Sequence, residues 1–148
     1  MTPRVSVRKA RAEEIDWINA QYDRVDFKHS VYDNEYIAIA QSNGERIGLG
    51  RLQYIEEGVA ELGGIFVDEN HRGLGAAHHI VGHLIEHSGE FRTIYCIPFV
   101  HLADFYRQFG FEEENNTNEA PAEVVDKHHW CDPTYASKTL LLVMKKPR

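Results

Sequence analysis

Between Ala60 and Ala77 the sequence reads as a strand, a short turn and a glycine-rich loop that opens directly into a helix. Ile65, Phe66 and Val67 are strand formers, and Asp68 to Asn70 are turn formers. From Ala77 the apolar residues Ala77, Ile80, Val81, Leu84 and Ile85 fall at helical spacing. The first turn of that helix carries Gly73, Leu74, Gly75, Ala76 and Ala77, with little side-chain bulk over its N-terminus. Free N–H groups and the positive end of the helix dipole are then open to an anion, typically a phosphate. Arg72 adds a guanidinium that can grip the same group. The loop suits a pyrophosphate.

Composition narrows the partners. The chain has 148 residues, 43% of them hydrophobic, which predicts one globular domain over 1–148 with a real core. A formal net charge of −7 speaks against nucleic acid and favours cationic partners such as amines. The sequence has no apolar run long enough for a membrane span and no signal-peptide layout. With only Cys96 and Cys131 to pair, the reading is a reduced, cytoplasmic protein.

The order of elements is expected to be strand 4–9, helix 12–27, and strands 35–41 and 46–55 joined by the Asn43-Gly44 hairpin turn. Strand 59–67 follows, then the loop helix, strand 91–97, helix 100–109 and a polar segment 112–119 without periodicity. Segments 123–129 and 139–145 read as the last two strands. Antiparallel strands first, then a β-α-β-α crossover, make an α/β fold with a mixed, mostly antiparallel sheet flanked by helices.

The loop lacks the three spaced glycines of a dinucleotide site and the Gly-Lys-Ser/Thr of a triphosphate loop. It resembles the acyl-CoA loop of the GNAT superfamily of N-acetyltransferases, Gln/Arg-x-x-Gly-x-Gly/Ala after a strand. Gly73 and Gly75 match, Arg72 is the usual basic residue within the loop, and Asn70 stands where the family prefers Gln or Arg. Downstream, Tyr106-Arg107-Gln108-Phe109-Gly110-Phe111 resembles the family's Tyr-x-x-x-Gly-Phe signature, with Gly110 capping the helix. Phe99 stands where many members carry a CoA-contacting Asn. The resemblance covers nearly the whole chain. It implies acetyl-CoA as co-substrate, with pantetheine pairing to the backbone of Ile65, Phe66 and Val67. The pyrophosphate would rest on Arg72, Gly73, Leu74, Gly75, Ala76 and Ala77.

Acyl transfer sets its own requirements. An alkyl amine is less than about 0.1% neutral at pH 7, so a base must take its proton. The resemblance puts Glu61 in that role, against a solvent-facing strand residue as the plain alternative. Tyr106 stands at the family's position for the tyrosine beside the acyl-CoA sulfur, where a phenol serves as general acid. Its plain alternative is a core aromatic beside Phe105 and Phe109. The growing negative charge on the thioester oxygen needs a donor, and Gly63-Gly64 in mid-strand suits a β-bulge that frees one.

Other features carry less. His79, His83 and His87 share a helix face but lack a His-Glu-x-x-His pattern, and read as a solvated face with no metal assigned. His128-His129-Trp130-Cys131 has metal-ligand types at the wrong spacing. Trp17, Tyr22, Asp23, Asp26, Phe27 and His29 cluster where the family's acceptor region lies, and would suit a cationic amine. The expected acceptor is a small-molecule or peptide amine. A homodimer is compatible with the resemblance, which does not fix the oligomeric state. Two other classes stay open: a CoA-binding sensor without turnover, and an interaction module whose loop is a structural turn. Acylation of Cys131 is the rival to direct attack.

Overall fold

The computed structural model describes residues 4–134 and 138–146, the backbone alone for 130–134. Among them are seven strands in the order β1-β2-β3-β4-β5-β7-β6, in a mixed, mostly antiparallel α/β arrangement with four α-helices. The strands are β1 (Val5–Lys9), β2 (Glu35–Ser42), β3 (Glu45–Glu56), β4 (Val59–Val67), β5 (Thr93–Cys96), β6 (Glu112–Glu113) and β7 (Leu142–Lys145). The helices are α1 (Ile15–Asp23), α2 (Ala76–Glu86), α3 (Ala103–Arg107) and α4 (Ala122–Thr134). The chain divides into two compact units, residues 1–53 with 64–89 and residues 54–63 with 90–148.

The first unit is an antiparallel meander with α1 and α2. β1 pairs with β2 from Val5↔Ser42 to Lys9↔Ala38, and β2 returns to β3 with a register shift at Ala40/Gln41. The hairpin is as expected: Asn43 (φ 54°) and Gly44 (φ 78°) are both left-handed, the backbone of a type I′ turn. Ile18 and Tyr22 of α1 pack on Ala10, Ile37, Ile39 and Leu49. On α2, Ile80, Val81 and Leu84 are fully buried, the apolar face read from their spacing.

One carboxylate anchors the entry to α1. Glu14 accepts from both Arg8 Nη1 and Nη2 (2.7 and 2.9 Å), from Arg46 Nη1 (3.3 Å) and from the Arg11 backbone N–H (3.0 Å). These partners, Arg8 first, hold its pKa at about 2 against the ordinary 4.5. A depressed carboxylate stabilises the fold fully above its unfolded pKa and loses that contribution as pH falls towards the folded value. We therefore expect wild-type and Glu14→Gln proteins to melt furthest apart near neutral pH, the gap closing between about pH 4.5 and pH 2. A gap that stays constant down that range would show that Glu14 carries no linked stability.

The second unit is built on β5. The first half of β4 runs parallel to it from Val59↔Thr93 to Leu62↔Cys96, and β7 runs antiparallel to it from Thr93↔Lys145 to Cys96↔Leu142. Tyr95, Ala120, Val124, Leu141 and Val143 form its core cluster. The expected helix 100–109 begins as a 3₁₀ turn (Val100–Leu102), continues as α3 and closes at Gly110 (φ 102°).

Two expectations fail here. Segment 123–129 is helix α4, not a strand, because Pro121 opens a helix whose Val124 and Val125 N–H groups both donate to the Pro121 carbonyl. Buried Ala120 and Val124 recur four residues apart, a helical period that the β-branched pair Val124-Val125 disguises. Segment 112–119 contributes β6, whose two exposed glutamates have no strand pattern of their own and are held by pairing with Leu142 and Val143. The Cys131 side chain, proposed above as a rival nucleophile, lies outside the described residues.

Candidate active site

In the first unit the loop has the expected form. A 3₁₀ turn at Glu69–His71 leads through exposed Arg72 and Gly73 (φ 89°) to Gly75, which takes φ 76° and is the N-cap of α2. No side chain caps that helix, so its first N–H groups keep their bonding capacity. Ala76 is buried, and the nearest atom to a Cβ on Gly75 would be His79 Cδ2 at 4.0 Å, so nothing crowds the helix entrance. The residues present fit a phosphate cradle.

Ile65, Phe66 and Val67 complete β4 ahead of it, all half-buried. Phe66 packs on the α1 core with Arg24 5.5 Å from its ring centre, and Ile65 reaches the face of Gly50.

The glycine pair follows the point where β4, itself continuous, stops pairing with β5. Gly64 has φ 61°, and the pairing of β4 with β5 stops two residues earlier, at Leu62. Tyr22 Oη donates to the Gly64 carbonyl at 2.8 Å. A Cβ at Gly64 would lie 2.5 Å from Tyr22 Oη and 2.9 Å from Arg51 Nε, so only glycine fits. Tyr22, expected to line an acceptor region, is instead fully buried, with the Arg51 guanidinium 4.4 Å from its ring centre. Arg51 in turn donates to Ser30 Oγ at 2.6 Å and lies 3.8 Å from Glu35. Asp23 and His29 stay exposed and pair with each other at 2.5 Å.

The helix histidines are not simply solvated. His83 is half-buried and shares a 2.9 Å hydrogen bond with Tyr36 Oη, while His87 stacks on both rings. Burial, then the neighbouring His87, lowers the His83 pKa. Among the described residues no cluster of three or more metal-ligand side chains is set to hold an ion.

In the second unit the two expected catalytic residues are both buried, and each lies within electrostatic range of Cys96. Glu61 is buried, at 4% exposure, which excludes the solvent-facing alternative. Its strand neighbour Leu62 pairs with Cys96, whose pKa is raised by burial and then by the Glu61 charge, with Lys127 opposing. Tyr106 on α3 is 6% exposed, its ring edge-on to Phe105 and Phe111. Burial, and after it Cys96, pushes its phenol well above the usual range, so it keeps its proton at any working pH. Cys96 itself is a buried free thiol, a poor nucleophile.

Sequence reading missed Lys127. Its Nζ donates to Glu61 Oε1 at 2.5 Å, from a residue 66 positions away. The helix-start signal at Pro121 was the local clue, since a helix from there puts Lys127 one turn beyond Val124 on the buried side.

A family model described as "Acetyltransferase (GNAT) family" matches residues 5–111. The chain belongs to the GNAT acetyltransferase family. No match is found among curated proteins. Solved structures share the GNAT fold at low identity. N-acetylglutamate synthase from Neisseria gonorrhoeae, complexed with coenzyme A and N-acetyl-glutamate, is 16% identical over 98% of this chain with a TM-score of 0.75. This chain spans only 36% of that enzyme's length. A Mycobacterium tuberculosis protein in complex with CoA is 19% identical, covering 96% of this chain and 99% of its own, with a TM-score of 0.75. The ribosomal-protein-S18-alanine N-acetyltransferase from Escherichia coli is 12% identical, covering 98% and 96%, with a TM-score of 0.70. The matched span of this GNAT chain contains both the glycine loop and the Gly63-Gly64 pair. No helix among its described residues is long and apolar enough to cross a membrane.

Proposed function

We propose that this GNAT chain, acting as one domain over residues 1–148, moves an acetyl group from acetyl-CoA to a primary amine by direct attack. The observation that supports the reading is a buried carboxylate, Glu61, held by Lys127, with a buried phenol, Tyr106, in the same unit. Acetyl-CoA supplies an activated thioester carbonyl. Its pyrophosphate is assigned to Arg72, Gly73, Leu74, Gly75, Ala76 and Ala77, and its pantetheine to the backbone of Ile65, Phe66 and Val67.

Glu61 accepts a proton from the acceptor ammonium, directly or through one water, and the freed nitrogen attacks the carbonyl carbon. The C–N bond forms, the C–S bond breaks, the Tyr106 hydroxyl delivers its proton to the departing sulfur, and the second proton leaving the nitrogen restores the phenol while Glu61 gives its own to solvent. A backbone N–H beside the glycine pair, past the end of the β4–β5 pairing, receives the developing oxyanion. The products are an amide and free CoA. No covalent enzyme intermediate is needed, so neither cysteine is assigned a role.

The acceptor is a small-molecule or peptide amine. Neighbours span both kinds, one in complex with N-acetyl-glutamate and one named for ribosomal protein S18 alanine. The net charge of −7 favours cationic amines over nucleic acid. The cytoplasmic setting, the lack of a membrane partner and room for a homodimer rest on the sequence alone.

The test is an acceptor screen. Amino acids, polyamines, lysine peptides and free peptide N-termini are each incubated with acetyl-CoA, and released CoA thiol is read. One class should give amine-dependent release. No release from any class, with binding intact, would leave a sensor. Binding itself is read by thermal shift, since ligand at 100 times its Kd adds about 2.7 kcal/mol. An unmoved melt would leave an interaction module.

A further inference from the structure

The Glu61 side chain is only 5% exposed, and a carboxylate that dry is costly unless an opposite charge lies against it. Among the described residues the cation facing it is Lys127, whose Nζ lies 2.5 Å from Oε1. The ammonium is aimed by packing: Val124, one turn earlier on α4, is fully buried in the cluster of Tyr95, Leu141 and Val143. The ionisable groups facing this stretch of β4 are Tyr95, the register partner of Glu61 on β5, then Cys96 and, beyond it, Tyr106 on α3. Burial is the first cause that raises the pKa of each, so all three stay uncharged and none can balance the carboxylate.

We infer that Lys127 is a positioning residue for acetyl transfer, fixing the Glu61 carboxylate in place and balancing its charge so that it can receive the acceptor's proton. The inference rests on the base role proposed for Glu61. Lys127 contacts the base and needs no contact with either substrate. At 37% side-chain exposure it reaches in from the edge, so its replacement leaves the core intact.

The experiment compares Lys127→Met, Lys127→Gln and Lys127→Arg across pH with the best amine from the screen. Without a cation the buried carboxylate is relieved by taking up a proton, and a protonated carboxyl cannot accept another. Met and Gln should therefore lower kcat near neutral pH. The acid limb of their pH–rate profile should move to higher pH, with rate recovered above it. The KM for acetyl-CoA should hold, and Arg should restore most of the neutral-pH rate. Adding Lys127→Met to Glu61→Gln should cost nothing further.

Wild-type kcat and an unmoved profile in both neutral variants would overturn the inference. A lower amine KM in Lys127→Met would overturn it too, since Lys127 would then be a competitor for the base. A Glu61→Gln enzyme with full kcat would instead sink the base role, a distinct failure. A uniform loss of rate that neither alkaline pH nor Arg repairs would mark Lys127 as merely structural.

Discussion

Tyr106→Phe is expected to lower kcat by roughly 10²- to 10⁴-fold, the usual worth of a general acid, while acetyl-CoA affinity holds. The change removes one oxygen from a ring that is 6% exposed and edge-packed between Phe105 and Phe111, so α3 keeps its place. Burial and Cys96 hold the phenol protonated, so the acid form is present throughout an ordinary assay range. The deficit should therefore be flat with pH on the acid side, unlike that of the Lys127 variants. The measurement is saturating kcat beside a calorimetric Kd. A loss below about tenfold would return Tyr106 to the role of core aromatic. A large fall in melting temperature would mean that the hydroxyl is structural.

Gly75→Glu is expected to abolish acetyl-CoA binding, weakening it by more than about a hundredfold, or about 2.7 kcal/mol. The carboxylate would sit at the uncapped N-terminus of α2 and occupy the site assigned to the pyrophosphate. The left-handed backbone at Gly75 (φ 76°) adds a second effect, because any β-carbon there costs about 1–2 kcal/mol. Gly75→Ala carries that strain without the charge and is the control. Its side chain meets nothing closer than His79 Cδ2 at 4.0 Å, so it should stay folded and bind far better than the Glu variant. Equal affinities for the two variants, both folded by thermal melt, would remove the phosphate assignment from the loop.

These two residues illustrate what is local in this molecule. The 59–67 strand, the loop and the α2 face were legible because each depends on near neighbours in sequence. Asn43-Gly44 must turn, glycines 73 and 75 supply left-handed backbone, and Ile80, Val81 and Leu84 repeat at one helical face. Gly110 ends its helix by the same conformational freedom. The left-handed turn of backbone at Gly64 was also marked by the glycine pair. Its fixing by Tyr22 Oη was not, since α1 must first fold over the sheet to bring a residue 42 positions away into reach.

Elsewhere local pattern competed with long-range pairing and lost. In α4 the β-branched pair Val124-Val125 argued for a strand, but Pro121 starts a helix and burial of Val124 against Tyr95 secures it. β6 has no signal at all, because Glu112 and Glu113 become a strand only when Leu142 and Val143 offer them a partner. Motif matching could name Glu61 and Tyr106. Whether Glu61 faced solvent depended on register across the glycine pair, which alternation cannot fix, and the fold buried it. Its countercharge lay furthest from view: Lys127 meets Glu61 across 66 residues, and only the packing of α4 brings an ammonium to a carboxylate that has left water.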